Sequence, residues 1–269
     1  MSRRRRLDAE LVRRELAPSR ASARSLIEAG RVTVGGAPAA KASRLVDPGE
    51  PVEVAGDGPR FVSRGGEKLD AALDQFGIDV SDRRVIDTGS STGGFTDCVL
   101  QRGAAEVVAI DVGRNQLHER LRADPRVHVH EQTNLRHADP DELGGAGTLV
   151  VTDLSFISVR TVASRLVAFA APGADLVVLV KPQFEAGKAE ADRGRGVIRD
   201  PEVWRRTLDE AADAVSTAGA AIMGVMVSPI TGGDGNVEFL LHALRGGSGL
   251  SPVAWAAARD GAVAAAEER

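Results

Sequence analysis

The hydrophobic positions of the chain follow two different patterns, which meet near residue 60. Before that point, apolar side chains recur at helical spacing in residues 7–16 and 20–29, and short alternating stretches follow. From residue 82 onward, short apolar runs alternate with amphipathic segments. Strands are predicted at residues 85–87, 107–110, 126–129, 148–153, 176–180, 220–227 and 237–244, and a long helix at 200–218. The pattern predicts an α/β fold with a doubly wound, Rossmann-like, mostly parallel sheet, preceded by a small α+β domain.

These patterns also predict the domain boundaries. We expect an N-terminal domain of residues 1–58, a linker of residues 59–63, a larger domain of residues 64–245 and a C-terminal tail of residues 246–269. The turn-rich stretch GDGPR at residues 56–60 supports the linker. The tail is rich in Gly and Ser and then in Ala, which fits either a loose segment or a peripheral helix.

Charge is distributed unevenly between the two regions. Residues 1–60 contain 12 Lys and Arg against 8 Asp and Glu, whereas the remaining residues contain 22 against 30, giving the overall net charge of −4. A small basic module on an acidic body favours binding of a polyanion by the N-terminal domain. The alternative for any single arginine is a place on a solvated face.

The remaining composition excludes several classes of protein. Cys98 is the single cysteine, so no internal disulfide can form, and a reducing cytoplasm is expected. Cys98 lacks a nearby histidine and is interpreted as structural, and we expect no metal site. No apolar stretch is long enough to cross a bilayer, and the basic N-terminus is not followed by the apolar segment of a secretory signal.

A glycine-rich loop, DTGSSTGGFTD at residues 87–97, directly follows the first strand of the larger domain. It departs from the dinucleotide fingerprint G-x-G-x-x-G, because Ser91 replaces the middle glycine between Gly89 and Gly94. It also lacks the lysine of a Walker A loop. Both phosphate-binding interpretations are therefore weakened, but the glycines still favour close approach of the backbone to a ligand.

In a sheet of this kind, ligands bind beyond the carboxyl ends of the strands. Asp111 ends the second strand, where a carboxylate can accept both hydroxyls of a ribose. Asp87, at the start of the loop, suits an ammonium group better than a phosphate. A ribose and an ammonium without a phosphate indicate S-adenosylmethionine, with NAD as the disfavoured alternative. The predicted cofactor-binding residues are Asp87, Gly89, Ser90, Ser91, Thr92, Gly93, Gly94, Phe95, Asp111, Asn134 and Asp153.

Two segments resemble known families. LDAELVRRELAPSRASARSLIEAGRVTVGGAPAAKAS at residues 7–43 resembles an S4 RNA-binding domain, with a Ser-Arg pair at a helix start and a Gly-x-Val-x-Val-x-Gly hairpin. This resemblance covers about residues 5–55 and implies that the basic face binds structured RNA through its phosphates. The candidate RNA-binding residues are Arg4, Arg6, Arg14, Arg20, Arg24, Lys41, Arg64 and Arg136.

The second resemblance concerns four charged residues in the larger domain. Lys68 in RGGEKL, Asp153 in TDLSFIS, Lys181 in LVKPQFE and Glu238 in GNVEFLL resemble the Lys-Asp-Lys-Glu tetrad of FtsJ-like ribose 2′-O-methyltransferases. Taken singly, Lys68 and Glu238 could be surface charges, and Asp153 and Lys181 could form an ion pair at the strand ends. Together with the S4-like module, they make residues 5–245 resemble the TlyA family of bacterial rRNA 2′-O-methyltransferases.

This resemblance implies a class I methyltransferase fold and S-adenosylmethionine-dependent methylation of cytidines in 16S rRNA, 23S rRNA or both. The partner would be ribosomal RNA within ribosomal subunits, the protein a monomer without membrane contact, and susceptibility to capreomycin and viomycin a consequence. In the tetrad, Lys181 would activate the 2′-hydroxyl with Lys68 as its like-charged neighbour. Asp153 and Glu238 would orient the two amines.

Some features depart from the family or leave alternatives open. Pro-Arg-Phe-Val at residues 59–62 stands where the family linker is Arg-Ala-Trp-Val, and the loop opens DTGSST in place of DxGAST. Aromatic residues make up only 3% of the chain and Tyr is absent, so we expect recognition of folded RNA and extrusion of one nucleotide. For Phe156 and Phe184, core packing is favoured over stacking on that nucleotide. A haemolysin and a catalytically idle RNA-binding protein are the competing functions.

Overall fold

The computed structural model describes residues 4–14, 16–17, 19–55, 60–187, 190, 196–232 and 234–268. The chain forms two compact units, Met1–Ser63 and Arg64–Arg269. Residues 56–59, which include most of the GDGPR stretch and the first residue of the predicted linker, lie outside the described residues.

The N-terminal unit consists of two helices and two small antiparallel sheets. The helices are α1 (Leu7–Arg13) and α2 (Arg20–Glu28), and the strands are β1 (Arg5–Arg6), β2 (Val32–Val34), β3 (Ala37–Pro38), β4 (Leu45–Val46) and β5 (Val52–Val54). The sheet orders are β3-β2-β5 and β1-β4. Ser19 caps α2 by accepting a hydrogen bond from the Ser22 amide, as its position in the sequence predicts. Apolar residues of both helices and of β2, β4 and β5 form one core.

The larger unit is built on one seven-stranded sheet. Its strands are β6 (Arg84–Thr88), β7 (Glu106–Ile110), β8 (Val127–His130), β9 (Gly147–Thr152), β10 (Ala170–Val180), β11 (Ala220–Val227) and β12 (Phe239–Arg245). Its helices are α3 (Gly65–Phe76), α4 (Gly94–Gln101), α5 (Glu119–Arg122), α6 (Val159–Ala168), α7 (Pro182–Glu185), α8 (Pro201–Thr217) and α9 (Pro252–Glu267), with a 3₁₀ turn at Asp141–Leu143.

The strand order β11-β12-β10-β9-β6-β7-β8 confirms the predicted fold class. The strands from β10 to β8 are parallel, and β12 runs antiparallel to both β10 and β11. The chain first adds β7 and β8 on one side of β6, and then adds β9 and β10 on the other side. The order therefore reverses between β6 and β9, which is where such sheets form a ligand crevice.

The last 24 residues of the sequence mainly form a helix and not a loose tail. Ser251 caps α9 by accepting a hydrogen bond from the Ala254 amide, and Pro252 occupies the first turn. Ala262 and Val263 are buried in the main core. Trp255 donates its indole N–H to Asp209 on α8 at 2.8 Å, so the helix is held by a polar contact as well as by packing.

Candidate active site

The glycine-rich loop brings the end of β6 against the end of β9. Gly89 has φ +84°, and a Cβ at this position would lie 2.5 Å from the carbonyl oxygen of Asp153. The Gly89 amide donates to the Ile110 carbonyl at 2.8 Å, which ties the loop to β7 as well. A side chain at Gly89 would force the two strand ends apart, so glycine is required here for packing as much as for conformation.

A pocket of about 330 Å³ opens at this crevice. Four of the predicted cofactor-binding residues line it: Gly89, Ser91, Asp111 and Asp153. The rest of the lining was not assigned to the cofactor from the sequence, and Phe156 was named there only as a possible stacking partner for the nucleotide. These residues are Ile110, Val112, Gln116, Thr133, Leu135, Leu154, Ser155 and Phe156. The predicted residues Ser90, Gly93, Gly94 and Phe95 are buried in the turn and in the start of α4, while Thr92 is exposed. Their assignment to the cofactor site stays a prediction.

Asp87 and Asn134, both predicted to bind the cofactor, are also not part of the pocket lining. Thr133 and Leu135, the neighbours of Asn134, are part of the lining. The Asn134 side chain is exposed and accepts a hydrogen bond from the Arg136 amide at 3.1 Å. In this structure it therefore stabilises the turn after β8.

Asp111 is fixed at the edge of the pocket by two backbone amides. Its Oδ2 accepts from the Ser91 amide at 2.8 Å, and its Oδ1 accepts from the Gly113 amide at 2.7 Å. A carboxylate offers about four lone-pair positions, so acceptor capacity remains for the hydroxyls of a ribose. The amides hold the carboxylate in place before a ligand arrives.

Asp87 is fully buried and only partly satisfied. Its Oδ2 accepts the Thr96 hydroxyl at 2.6 Å, whereas its Oδ1 has no hydrogen-bond partner among the described residues. Burial raises the pKa of Asp87 to about 7, opposed by the Thr96 hydrogen bond and reinforced by the charge of Asp153. An unsatisfied buried carboxylate oxygen beside this loop is the expected partner for a cationic group of a ligand.

Glu131 organises the loop after β7 and was missed by the sequence reasoning. Its two oxygens accept hydrogen bonds from the amides of Asn115 and Gln116 at 2.7 and 2.9 Å. The bond from the Asn115 amide, together with those from the following amides and Arg122, lowers the pKa of Glu131 to about 2. Gln116 lines the pocket, so this carboxylate fixes one of its walls.

The four charged residues of the tetrad form two ion pairs. Lys181 Nζ lies 2.5 Å from Asp153 Oδ1 and donates to the Ser155 hydroxyl at 3.1 Å. Lys68 pairs with Glu238 Oε2. Both lysines and Glu238 are buried, whereas the Asp153 side chain is 24% exposed, on the side of the pocket that it lines. Buried charges persist only when they are paired, and each lysine here has its own carboxylate.

Strand register explains why these pairs are neighbours. Val180 of β10 lies opposite Phe239 of β12 in the antiparallel ladder, so Lys181 follows one strand end where Glu238 precedes the other. Thr152 of β9 is paired with β10 and β6, which places Asp153 beside the glycine-rich loop. The fold thus places three of the four tetrad residues at the ends of neighbouring strands, on the same side of the sheet. Lys68 reaches this side from α3.

Glycine also makes room for the second ion pair. A Cβ at Gly232 would lie 2.6 Å from Glu238 Oε1. Any larger residue at this position would displace the Glu238 carboxylate from the place where it meets Lys68.

The prediction of core packing for Phe156 is wrong. Phe156 is 90% exposed, has φ +63° and lines the pocket. Its ring lies 5.1 Å from the ring of Phe184, which is partly buried and has Lys181 Nζ at 5.8 Å from its centroid. A phenylalanine in the left-handed region is rare and exposes apolar surface, and such features concentrate at functional sites.

Glu185 holds this turn in place. It is buried at the end of α7, accepts the Ser158 hydroxyl at 2.5 Å and accepts the Val159 amide at 2.8 Å. Burial raises the pKa of Glu185, against the effect of these hydrogen bonds. The segment after Lys181 is therefore tied to the turn that carries Phe156.

The predicted RNA-binding residues differ in the exposure of their side chains and in their ion-pair partners. Lys41, Arg64 and Arg136 are exposed, as is Arg4, whose guanidinium lies 3.9 Å from Asp47. The guanidinium groups of Arg6, Arg20 and Arg24 converge on Asp8 and remain about half exposed.

Arg14 is the exception among these residues. It is mostly buried and donates to Glu10 at 2.8 Å and to the carbonyls of Pro48 and Glu50 at 3.0 and 2.9 Å. These contacts indicate a structural role, and the assignment of Arg14 to RNA binding stays a prediction.

Comparison with known proteins assigns both units. The FtsJ-like methyltransferase family matches residues 61–245, and the S4 domain family matches residues 5–52. The 16S/23S rRNA (cytidine-2′-O)-methyltransferase TlyA of Mycobacterium tuberculosis is 50% identical over 242 residues, which are 90% of each chain. The chain belongs to the TlyA family. The resemblance inferred from the sequence is thereby confirmed.

Other members of the TlyA family carry a different name. Hemolysin A of Brachyspira hyodysenteriae is 37% identical over 83% of this chain and 93% of its own length. The solved structure of a candidate hemolysin from Streptococcus thermophilus has a TM-score of 0.78 and 36% identity, covering 100% of this chain and 97% of that one. Among the residues that the structure describes, no helix combines the length and apolarity needed to cross a membrane.

Proposed function

We propose that this member of the TlyA family transfers a methyl group from S-adenosylmethionine to the ribose 2′-hydroxyl of a cytidine in ribosomal RNA. The observation that carries the proposal is the Lys181–Asp153 ion pair beside the pocket, because Asp153 belongs both to this pair and to the pocket lining. Cofactor and reacting hydroxyl would thus meet at one residue.

The residues around the pocket fit S-adenosylmethionine. When bound, this cofactor supplies a methyl group on a positively charged sulfur. Asp87 offers an unsatisfied buried oxygen to the ammonium of the amino acid part, and Asp111 offers a preorganised acceptor to the ribose. Because Gly89 has no side chain, the loop can pass close to Asp153 beside the pocket.

The tetrad supplies what a 2′-hydroxyl needs in order to react. The hydroxyl is a weak nucleophile and must lose its proton as it attacks, so a basic group has to lie within hydrogen-bonding reach. Lys181, held by Asp153 and Ser155, is the candidate that contacts the hydroxyl and accepts its proton. Lys68 and Glu238 would hold the ribose and balance the charge of the site. Holding the hydroxyl and the methyl donor in a reactive orientation would account for much of the acceleration of methyl transfer.

The surroundings support a nucleotide extruded from folded RNA. Phe156 presents an exposed ring at the mouth of the pocket, suited to stacking on a base that has left its helix. In the S4 unit, half-exposed arginines would contact phosphates and position the RNA without reading its sequence. We expect the enzyme to act on ribosomal subunits, as a monomer in the cytoplasm.

The test combines methyl transfer with identification of the product. Ribosomal subunits from a strain that lacks this gene are incubated with the protein and radiolabelled S-adenosylmethionine, and the rRNA is digested to nucleosides and analysed by mass spectrometry. We expect 2′-O-methylcytidine, and separate 30S and 50S reactions identify the substrate. A Glu238→Gln variant is the matched control for contaminating activity. A methyl group on a base, or no transfer to either subunit, would contradict the proposal.

A further inference from the structure

Three arginines of the S4 unit share one buried carboxylate. Asp8, the second residue of α1, has no exposed surface. Arg6 donates to it from β1 through two nitrogens, at 3.1 and 3.2 Å. Arg20 of α2 donates at 2.8 Å, and Arg24, one turn further along α2, at 3.5 Å. One carboxylate therefore connects guanidinium groups from two different elements.

The charge balance of this cluster is unusual for a structural ion pair. Burial alone would raise the pKa of Asp8, but the hydrogen bonds and charges of Arg6 and Arg20 outweigh it and hold the pKa well below its usual range. One arginine would be enough to neutralise the carboxylate. Three arginines leave two positive charges in excess, on side chains that are 44%, 53% and 53% exposed for Arg6, Arg20 and Arg24.

The neighbouring carboxylate shows what a structural arrangement looks like in the same helix. Glu10 is also buried and binds Arg13 and Arg14, but Arg14 is only 20% exposed and is further bound to backbone carbonyls. Within the described part of the chain, Asp8 is the sole acceptor that the guanidinium groups of Arg6, Arg20 and Arg24 contact. Each guanidinium has five N–H donors, so most of theirs remain available to another anion.

We propose that Asp8 is a positioning residue for RNA binding, which holds Arg6, Arg20 and Arg24 as a preorganised site for backbone phosphates. This inference rests on the proposed rRNA substrate. Long arginine side chains lose considerable rotamer freedom when they are fixed, and a carboxylate that fixes them beforehand removes that cost from the binding step. Guanidinium groups held in a fixed plane can also bind phosphate oxygens in pairs.

The decisive experiment is Asp8→Asn in the full-length protein, with affinity for ribosomal subunits measured over a series of salt concentrations. This substitution removes a negative charge from a basic surface, so electrostatics alone predicts tighter binding. Positioning predicts the opposite: a loss of about tenfold, equivalent to 1.4 kcal/mol, and a shallower salt dependence because fewer phosphates are contacted in a fixed geometry. Glu28→Gln is the matched control, since it removes the same charge from an exposed position of α2 and should leave affinity unchanged or slightly higher.

Two further measurements separate the possible failures. Circular dichroism and thermal unfolding show whether Asp8→Asn is folded, and Asp8→Glu, which keeps the charge but moves the carboxylate by one methylene, should also weaken binding. A folded Asp8→Asn or Asp8→Glu protein with wild-type or tighter affinity overturns the inference. Loss of folding in both variants overturns it as well, because Asp8 would then serve the fold. If Arg20→Glu leaves subunit affinity unchanged, the proposed RNA-binding role of the S4 unit fails with it. If Arg20→Glu weakens subunit binding but the Asp8 variants do not, only the role of Asp8 is contradicted.

Discussion

The ion pairs of the tetrad in the larger unit and those around Asp8 in the N-terminal unit are built in opposite ways. In the larger unit, Lys68 and Lys181 are buried and each has one carboxylate partner. In the N-terminal unit, the buried groups are carboxylates. Asp8 is shared by three arginines that are about half exposed, whereas on Glu10 only Arg13 is comparably exposed and Arg14 is mostly enclosed. The first arrangement is close to neutral and enclosed, which suits proton transfer from a neutral hydroxyl. The second leaves excess positive charge at the surface, which suits a polyanion.

This difference also sets the expected size of mutational effects. Removing one partner of a buried ion pair leaves an uncompensated charge and displaces the side chains that this pair positions. Exposed ion pairs, by contrast, typically contribute about 0–1 kcal/mol to the free energy of unfolding. Substitutions at the edge of the sheet should therefore act strongly on chemistry or cofactor binding. Single substitutions among the exposed arginines should act mainly on RNA affinity.

The largest effect is expected for Lys181→Ala. Loss of the group that contacts the hydroxyl should lower methyl transfer by about 10²–10⁴-fold, the usual contribution of a positioned acid or base. Cofactor and subunit affinities, measured by calorimetry and filter binding, should stay near those of the wild type. Ser155→Ala is the control, because it removes one partner of Lys181 and keeps the Asp153 pair. A Lys181→Ala enzyme with more than a tenth of wild-type activity would show that the proton leaves by another route.

The second-largest effect is expected on the affinity for S-adenosylmethionine, in Asp111→Asn. Asp111→Asn keeps the size of the side chain but loses the charge, and it replaces one oxygen by a donor that faces the amide of Ser91 or Gly113. Hydrogen bonds to charged groups are worth about 1.5–3 kcal/mol, so we expect S-adenosylmethionine affinity to fall by roughly 10- to 150-fold. The exposed Asp139→Asn should leave it unchanged. An Asp111→Asn protein with wild-type affinity in calorimetry would remove Asp111 from the cofactor site.

The fold was more predictable from the sequence than the site. Each strand of the larger sheet was anticipated, since β6, β7, β9 and β10 contain apolar runs that a parallel sheet buries on both faces. The boundaries agree within about two residues, except that β10 begins at Ala170, well before the predicted start at residue 176. The two-residue strands β1 and β4 were missed, because two residues carry no periodicity. Their antiparallel pairing depends on contacts distant in sequence.

At the site, motifs predicted the membership of the tetrad. Of its two ion pairs, the one between Asp153 and Lys181 was considered as an alternative, whereas the one between Lys68 and Glu238 was not anticipated. Which lysine meets which carboxylate depends on the register of β10 against β12 and on the position of α3, and neither is encoded locally. The exposure of Phe156 was missed for a related reason. Its left-handed backbone conformation is set by the surrounding turn and by Glu185, and residue type alone would favour burial.

The third prediction uses the pKa of Asp87. The carboxyl is neutral in the folded, cofactor-free protein below pH of about 7, and a neutral acid does not attract an ammonium. Affinity for S-adenosylmethionine should therefore rise as pH increases from about 5.5 to 7, by up to about tenfold per pH unit, which is the limit for ionisation of one group. In Asp87→Asn, affinity should be low and should not change over this range. A wild-type profile that is flat between these values would exclude Asp87 as the partner of the ammonium.

The smallest effect is expected from Glu10, and it brings the comparison back to the N-terminal unit. The hydrogen bond from Arg13 lowers the pKa of Glu10 to about 2, with a further contribution from Arg14, although burial opposes the shift. Since the folded-state pKa lies below the unfolded value, the ion pairs stabilise the protein above pH of about 4.5, and this stabilisation is lost as pH falls towards 2. Because Arg13 is nearly half exposed, solvent screening reduces the effect to about 1 kcal/mol.

Glu10→Gln should lower the stability of the N-terminal unit at pH 7 by that amount, measured by hydrogen exchange of its amides. The variant should also lose less stability than the wild type as pH falls below about 4.5. The exposed Glu53→Gln should change neither. If Glu10→Gln lowered the stability by several kcal/mol, the Glu10 ion pairs would behave like the enclosed pairs of the larger unit. The contrast between the two arrangements would then fail.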